Sequence, residues 1–251
     1  MKVIPVLCLS DNYAYVLVDE EAGQVAVVDP VEPAKVIPVV EDTGLELKAI
    51  LTTHHHADHS GGNSGMLAAF PGLPVYGGDR NRIPGLTRQL SDGDEFQLGS
   101  LNICALQTLG HTTSSICYYV QSGSGEERAV FSGDTLFVGG CGRLFEGSPR
   151  DMHVSLNKKL AALPEDTKVY AGHEYTSANF RFALTVEPNN AALQEKAQRC
   201  ATQSCTMPST IAEELATNPF MRVNQPDVQK AVGATDPVDV LAAVRRMKDN
   251  F

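Results

Sequence analysis

The sequence predicts an α/β fold followed by a small all-helical domain, on three observations. Short β-branched and aromatic runs separated by turn residues fill the first two thirds of the chain. A strand–helix–strand unit occurs early, which requires a sheet with a helix on its face. Past about residue 175 the alternation stops and helical spacing takes over.

The first strands are Val3 to Leu7, Tyr13 to Val18 and Gln24 to Val28, broken by Ser10-Asp11-Asn12 and Glu21-Ala22-Gly23. Pro33 to Glu41 has its apolar residues Val36, Ile37, Val39 and Val40 at helical spacing; Pro33 suits a first helical turn and Gly44 a stop. Leu47 to Thr52 closes the βαβ unit. Further strands are Val75-Tyr76, Glu95 to Leu98, Leu101 to Leu106, Ser115 to Val120, Ala129 to Phe131 and Lys168 to Ala171, with Gly99-Ser100 as a hairpin turn. A helix over Pro149 to Leu163 has Ser148 as its cap and Pro164 as its end. The remaining segments, Phe180 to Thr185, Ala191 to Thr202, Thr210 to Leu215, Asp227 to Ala231 and Val238 to Lys248, read as helices with no strand among them. Thr210 with Glu213 has the pattern of a capping box, and Asp236-Pro237 of a cap with a first-turn proline. The expected domains are residues 1–174 and 175–251.

The net charge is −10, so a nucleic-acid partner is not expected, although an acidic chain can still carry a local basic pocket. No apolar run approaches the ~18 residues of a membrane span. The start lacks the pattern of a signal peptide, and a cytoplasmic location is expected. The six cysteines, at 8, 104, 117, 141, 200 and 205, match no zinc-ribbon or redox spacing and are expected as reduced thiols.

Four of the seven histidines lie in Thr53-His54-His55-His56-Ala57-Asp58-His59, directly after a strand. Three later strands are followed by a glycine and then a potential ligand: Gly110-His111, Gly133-Asp134 and Gly172-His173. Glycine lets the backbone turn sharply there. The seven donors His54, His56, Asp58, His59, His111, Asp134 and His173 are too many for one tetrahedral ion and suit two. His54 and His56 can point the same way from an extended backbone. His111 would complete the first ion's set, Asp58, His59 and His173 would serve the second, and Asp134 would bridge. Asp58 and Asp134 are also the candidate catalytic carboxylates. His55 points away, and His153 is set aside as a surface or hydrogen-bonded residue on its helix. Asp29 is either a support for a ligand histidine or a turn residue before Pro30. Imidazole with carboxylate puts zinc first, with iron or manganese as alternatives.

This series of motifs, over roughly residues 3 to 174, resembles the metallo-β-lactamase superfamily. The resemblance implies an αββα sandwich with two divalent ions at one edge. Finer motifs are similar to those of the hydroxyacylglutathione hydrolases (glyoxalase II): Gly133-Asp134-Thr135-Leu136-Phe137, Gly139-Gly140-Cys141-Gly142-Arg143, Phe145-Glu146-Gly147 and Gly172-His173-Glu174-Tyr175-Thr176. The similarity continues through Asn179, Val186-Glu187-Pro188-Asn189-Asn190, Thr235-Asp236-Pro237 and Arg245-Arg246-Met247-Lys248-Asp249. It implies hydrolysis of the thioester S-D-lactoylglutathione to D-lactate and glutathione by a hydroxide bound to both metals. It also implies glutathione contacts from Arg143, Tyr175, Asn179, Arg245 and Lys248, whose Arg and Lys suit a tripeptide anion. Taken alone, Arg245 and Lys248 read as a solvated helix end. Phe145 departs from the tyrosine common in relatives and removes a hydroxyl contact. A monomer is expected. The alternatives are another hydrolase of the fold or a mononuclear-iron persulfide dioxygenase, a relative without the helical tail.

Overall fold

The computed structural model describes residues 1–251. The chain divides into two compact units, Met1–Gln107 with Ser114–Gly133, and Thr108–Thr113 with Asp134–Phe251.

The first unit holds ten strands, β1 (Lys2–Cys8), β2 (Asn12–Asp19), β3 (Gln24–Val28), β4 (Glu46–Leu51), β5 (Val75–Gly77), β6 (Arg88–Gln89), β7 (Glu95–Leu98), β8 (Leu101–Gln107), β9 (Ile116–Gln121) and β10 (Arg128–Gly133). It also holds helices α1 (Pro33–Asp42), α2 (Ala57–Ser60) and α3 (Asn63–Ala69). One sheet runs β1-β2-β3-β4-β5-β6, antiparallel from β1 to β3 and parallel beyond, so α1 is the crossover that the βαβ pattern requires. In the other sheet β7, β8, β9 and β10 are antiparallel neighbours.

Every position of β2 is buried, because both of its faces are covered. Ala14, Val16 and Val18 point to one side and share a core with Val36 and Val40 of α1 and Met66 of α3. Tyr15 points to the other and meets Phe131 of β10, ring centroids 5.4 Å apart. Tyr76 of the first sheet stacks on Phe96 of the second, and the Tyr118 hydroxyl of β9 donates to the carbonyls of Thr52 and Tyr76. The two sheets therefore pack face to face, with helices on the outer side of the first. The sequence reading passes over α2, α3 and β6; none is long enough to show a period.

The second unit carries the hairpin β11 (Leu136–Phe137) and β12 (Gly140–Cys141), then α4 (Pro149–Val154), which winds on irregularly through Ala162. Next come β13 (Lys168–Ala171), α5 (Thr176–Val186), α6 (Ala191–Cys200), β14 (Ser209–Thr210), α7 (Ile211–Thr217), α8 (Pro226–Val232) and α9 (Pro237–Asp249). Ser148 caps α4 in a reciprocal capping box with Asp151. Asp236 caps α9 by accepting from the amides of Val238 and Asp239.

Three expectations need correction. The last third is not free of strand, since Ser209–Thr210 pairs antiparallel with Lys168–Val169; two residues have no visible alternation. Thr210 caps α7 through the Glu213 amide, but no capping box closes, because the Glu213 carboxylate goes to Lys196 and Arg199. Of the two roles expected for His153, the surface one is overturned: it is buried on α4, and burial, with Lys158, pushes its pKa down.

Candidate active site

In the first unit, Thr53 follows β4 and begins the histidine run. Asp29 follows β3 with a left-handed backbone (φ 46°), unusual for a residue with a side chain. Its Oδ1 accepts from the Thr53 amide at 2.8 Å, and its Oδ2 accepts from the Thr53 hydroxyl at 2.6 Å. The same Oδ2 lies 2.9 Å from Nδ1 of His59, which donates to it and keeps Nε2 as a lone pair. The Thr53 hydroxyl has one proton and gives it to Asp29. At 3.0 Å from Nδ1 of His54 it therefore accepts, and Nε2 of His54 is also left as a lone pair. That Nε2 is 3.0 Å from Nδ1 of His56, so the two rings do come together. Asp29 is thus a support for His59 and, through Thr53, for His54, and it is also the turn residue before Pro30, its carbonyl accepting from the Val31 amide at 2.8 Å.

Asp58 lies 3.7 Å through Oδ2 from Nε2 of His59. Asn12, at the start of β2, donates to both the carbonyl and Oδ2 of Asp58. In sequence Asn12 shows only as a turn residue, and Thr53 has no signal beyond its place beside His54. His55 turns towards Arg82, whose Nη1 is 3.1 Å from its Nε2.

In the second unit, His111, Asp134 and His173 are all buried. Nδ1 of His111 donates to the carbonyl of Arg143 at 2.8 Å, which presents Nε2 to Asp134. Oδ2 of Asp134 is 3.5 Å from Nε2 of His111 and 3.4 Å from Nε2 of His173, beyond a good hydrogen bond to either. One carboxylate oxygen thus faces two ring nitrogens equally. Gly142 makes this possible. A Cβ there would lie 2.0 Å from the Asp134 carbonyl oxygen and 2.9 Å from the His111 ring. The donor set fits divalent ions: five imidazoles, several fixed with a lone pair outward, and two carboxylates.

A cavity of about 570 Å³ opens in the second unit, with His111 and Asp134 in its wall. Arg143, Tyr175, Asn179, Arg245 and Lys248, the five expected substrate contacts, all line it. Arg181 of α5 lines it too, a fourth cation that the sequence reading misses because nothing in the pattern marks which face of α5 is turned inward. The Arg245 and Lys248 side chains are not a solvated helix end. Arg245 is buried; its Nη1 donates to the Cys141 carbonyl at 2.8 Å and its Nη2 pairs with Asp249. Lys248 donates to the Ala178 carbonyl and lies 5.2 Å from the Phe182 ring centre. Burial, together with Arg245, Arg181 and Arg143, pushes its pKa down to about 8. Asn179 spends its amide on the Val138 carbonyl. Tyr175 stacks on His173 at 4.6 Å, and the exposed Phe145 sets its ring against His111. Cys141 also lines the cavity, and burial of its thiol raises its pKa to about 11. All six cysteines are free thiols.

Residues 10–173 match the family model for the metallo-beta-lactamase superfamily, and residues 174–251 match that for the hydroxyacylglutathione hydrolase C-terminus. Two layered sheets with clustered histidines and carboxylates are thus the framework of that superfamily. Solved structures agree: ETHE1 from Myxococcus xanthus is 27% identical over 97% of this chain and 100% of its own, with a TM-score of 0.67. TTHA1623 in a di-iron-bound form is 28% identical over 86% and 99%, with a TM-score of 0.61. Within the superfamily, the chain belongs to the hydroxyacylglutathione hydrolase family. It is 49% identical to the cytoplasmic hydroxyacylglutathione hydrolase of Arabidopsis thaliana, over 100% of this chain and 99% of that protein. It is 46% identical to the hydroxyacylglutathione hydrolase of Synechocystis sp., over 97% of each.

Proposed function

We infer that this chain is a thioester hydrolase that converts S-2-hydroxyacylglutathione, S-D-lactoylglutathione in particular, to the hydroxy acid and glutathione. The observation that carries this reading is one cavity lined by four cations with His111 and Asp134 in the same wall. Glutathione brings two carboxylates and one ammonium, so a cluster of Arg143, Arg181, Arg245 and Lys248 suits it in a chain of net charge −10. In this reading Tyr175 and Asn179 border the tripeptide, residues 175–251 are the substrate-binding domain and residues 1–174 the catalytic one.

His54, His56 and His111 would hold one divalent ion, and Asp58, His59 and His173 the other, with Asp134 serving both. Such ions supply an acidified water and polarise a carbonyl at neutral pH. Asp29 and Thr53 keep the ring nitrogens unprotonated, the state in which imidazole ligates. Asn12 keeps Asp58 in one rotamer. Glutathione leaves as a thiolate, whose conjugate acid has a pKa of about 8.5, so no protein acid is needed. Zinc is the proposed metal, with iron or manganese as alternatives. No helix is long and apolar enough to cross a membrane. A cytoplasmic monomer without a nucleic-acid partner completes the proposal, the location resting on the Arabidopsis relative.

The test is elemental analysis and a thioester-absorbance assay on the same sample. Two equivalents of metal with rapid loss of S-D-lactoylglutathione are expected. No turnover by metal-replete protein overturns the assignment, and one equivalent of iron favours the dioxygenase.

A further inference from the structure

The hairpin from Leu136 to Cys141 is the common support of three site residues. Asp134 precedes it by two residues. The Arg143 carbonyl that fixes the His111 ring follows it by two. Phe137, on its first strand, sets its ring against His173 at 5.9 Å and against Tyr175 at 5.2 Å. A shift of the hairpin would therefore move one carboxylate and turn two imidazoles.

What holds the hairpin is a set of buried side chains from the helical segment. Asn218 donates to the carbonyls of Phe137 at 3.2 Å and Gly140 at 2.9 Å. Oε2 of Glu214 accepts from the Gly139 amide at 2.8 Å and from Asn218 at 3.0 Å. Oε1 of Glu214 accepts from Lys196 at 2.8 Å and from the Ser209 hydroxyl at 2.5 Å. Asn179 and Arg245 supply the remaining bonds, to Val138 and Cys141. Glu214 and Asn218 are fully buried, and Lys196 is 4% exposed. A two-residue hairpin has too few ladder bonds of its own to fix its tip, and a buried ion pair is costly unless its groups are all bonded. Here its bonds end on the hairpin backbone.

We propose that Asn218 and Glu214, with Lys196 as counter-ion, are positioning residues for the metal set of the second unit. Through them the helical segment governs bond cleavage as well as substrate binding. The inference rests on the metallohydrolase reading, but its first readout does not: metal content is measured without substrate.

The experiment compares Asn218→Ala and the milder Asn218→Ser, which keeps a hydroxyl near one carbonyl, with the parent chain. Metal content, thermal midpoint, kcat and KM are measured. Asn218→Ala is expected to lose part of its metal and about 10–100-fold in affinity or kcat, with little change in KM. Asn218→Ser should recover part of that loss. A folded variant that keeps its full metal content and parental kcat, whatever its thermal midpoint, overturns the proposal, because a merely structural role would move stability alone. Should neither variant fold, amide exchange on the metal-free parent decides. The Gly139 amide is expected to be strongly protected before metal is added; exchange at the rate of an open turn overturns the clamp. If the protein proves inactive on the thioester, the metal and exchange results still stand or fall separately.

Discussion

The two sets of candidate ligands are built in opposite ways. In the first unit, four donors come from six consecutive residues, and Asp29 with Thr53 fixes two of the rings through short bonds near the ends of β3 and β4. In the second, three donors come from positions far apart in the chain and lie around a hairpin held by residues up to 104 positions away. The contiguous set shares one loop and draws its supports, Asp29 and Asn12, from 24 to 46 positions away. The dispersed set is only as well placed as the tertiary structure around it.

The strongest test of that contrast is Asp134→Ala, which removes the one carboxylate that faces both His111 and His173. It should lose metal and cost more in rate than the ~10–100-fold expected for any supporting residue. Retention of two ions per chain would remove its shared role. Asp29→Ala comes next. It frees Nδ1 of His59 and leaves the Thr53 hydroxyl without its acceptor, so metal affinity should fall by about 10–100-fold. An effect confined to thermal stability would show that the first set needs no such support.

Arg245→Ala should both raise KM and lower kcat, because Arg245 lines the cavity and also bonds the hairpin at Cys141. Lys248→Ala should raise KM alone, by about tenfold, the worth of one hydrogen bond to a charged group at ~1.5 kcal/mol. Equal kcat losses in both would erase the distinction.

The pH dependence of Lys248 is a smaller effect with two opposite signs. Substrate binding needs the ammonium form, so kcat/KM should decline as pH rises through about 8, and Lys248→Arg should flatten the decline. In the folded chain this lysine binds its proton less well than in the unfolded chain. Its contribution to stability therefore rises between about pH 8 and the ordinary lysine range, and thermal midpoints of wild type and Lys248→Arg should diverge there. The smallest effect is expected from Phe145→Tyr, a few-fold fall in KM at an exposed ring.

The same contrast explains what could be read in the sequence. The histidine run is visible because its donors are neighbours, and the glycine before Asp134 and His173 marks a strand end, with the one before His111 three residues past β8. The βαβ unit and the capped helices α4 and α9 were legible through local chemistry. Asn12, Glu214 and Asn218 were not, since each is one polar residue whose partner lies far along the chain, and Arg181 was not, since no pattern marks the inward face of α5. The strand β14 and helix α2 were missed for a simpler reason: Ser209–Thr210 and Ala57–Ser60 are too short to show a period.

Cys141 lines the cavity that, in the proposed reading, receives an activated acyl donor. A thiolate there would capture the acyl group by exchange and also trap glutathione disulfide, since thiolates rather than thiols attack. Burial raises the pKa of Cys141 to about 11, which favours the neutral thiol near neutral pH and so disfavours self-acylation in that reading.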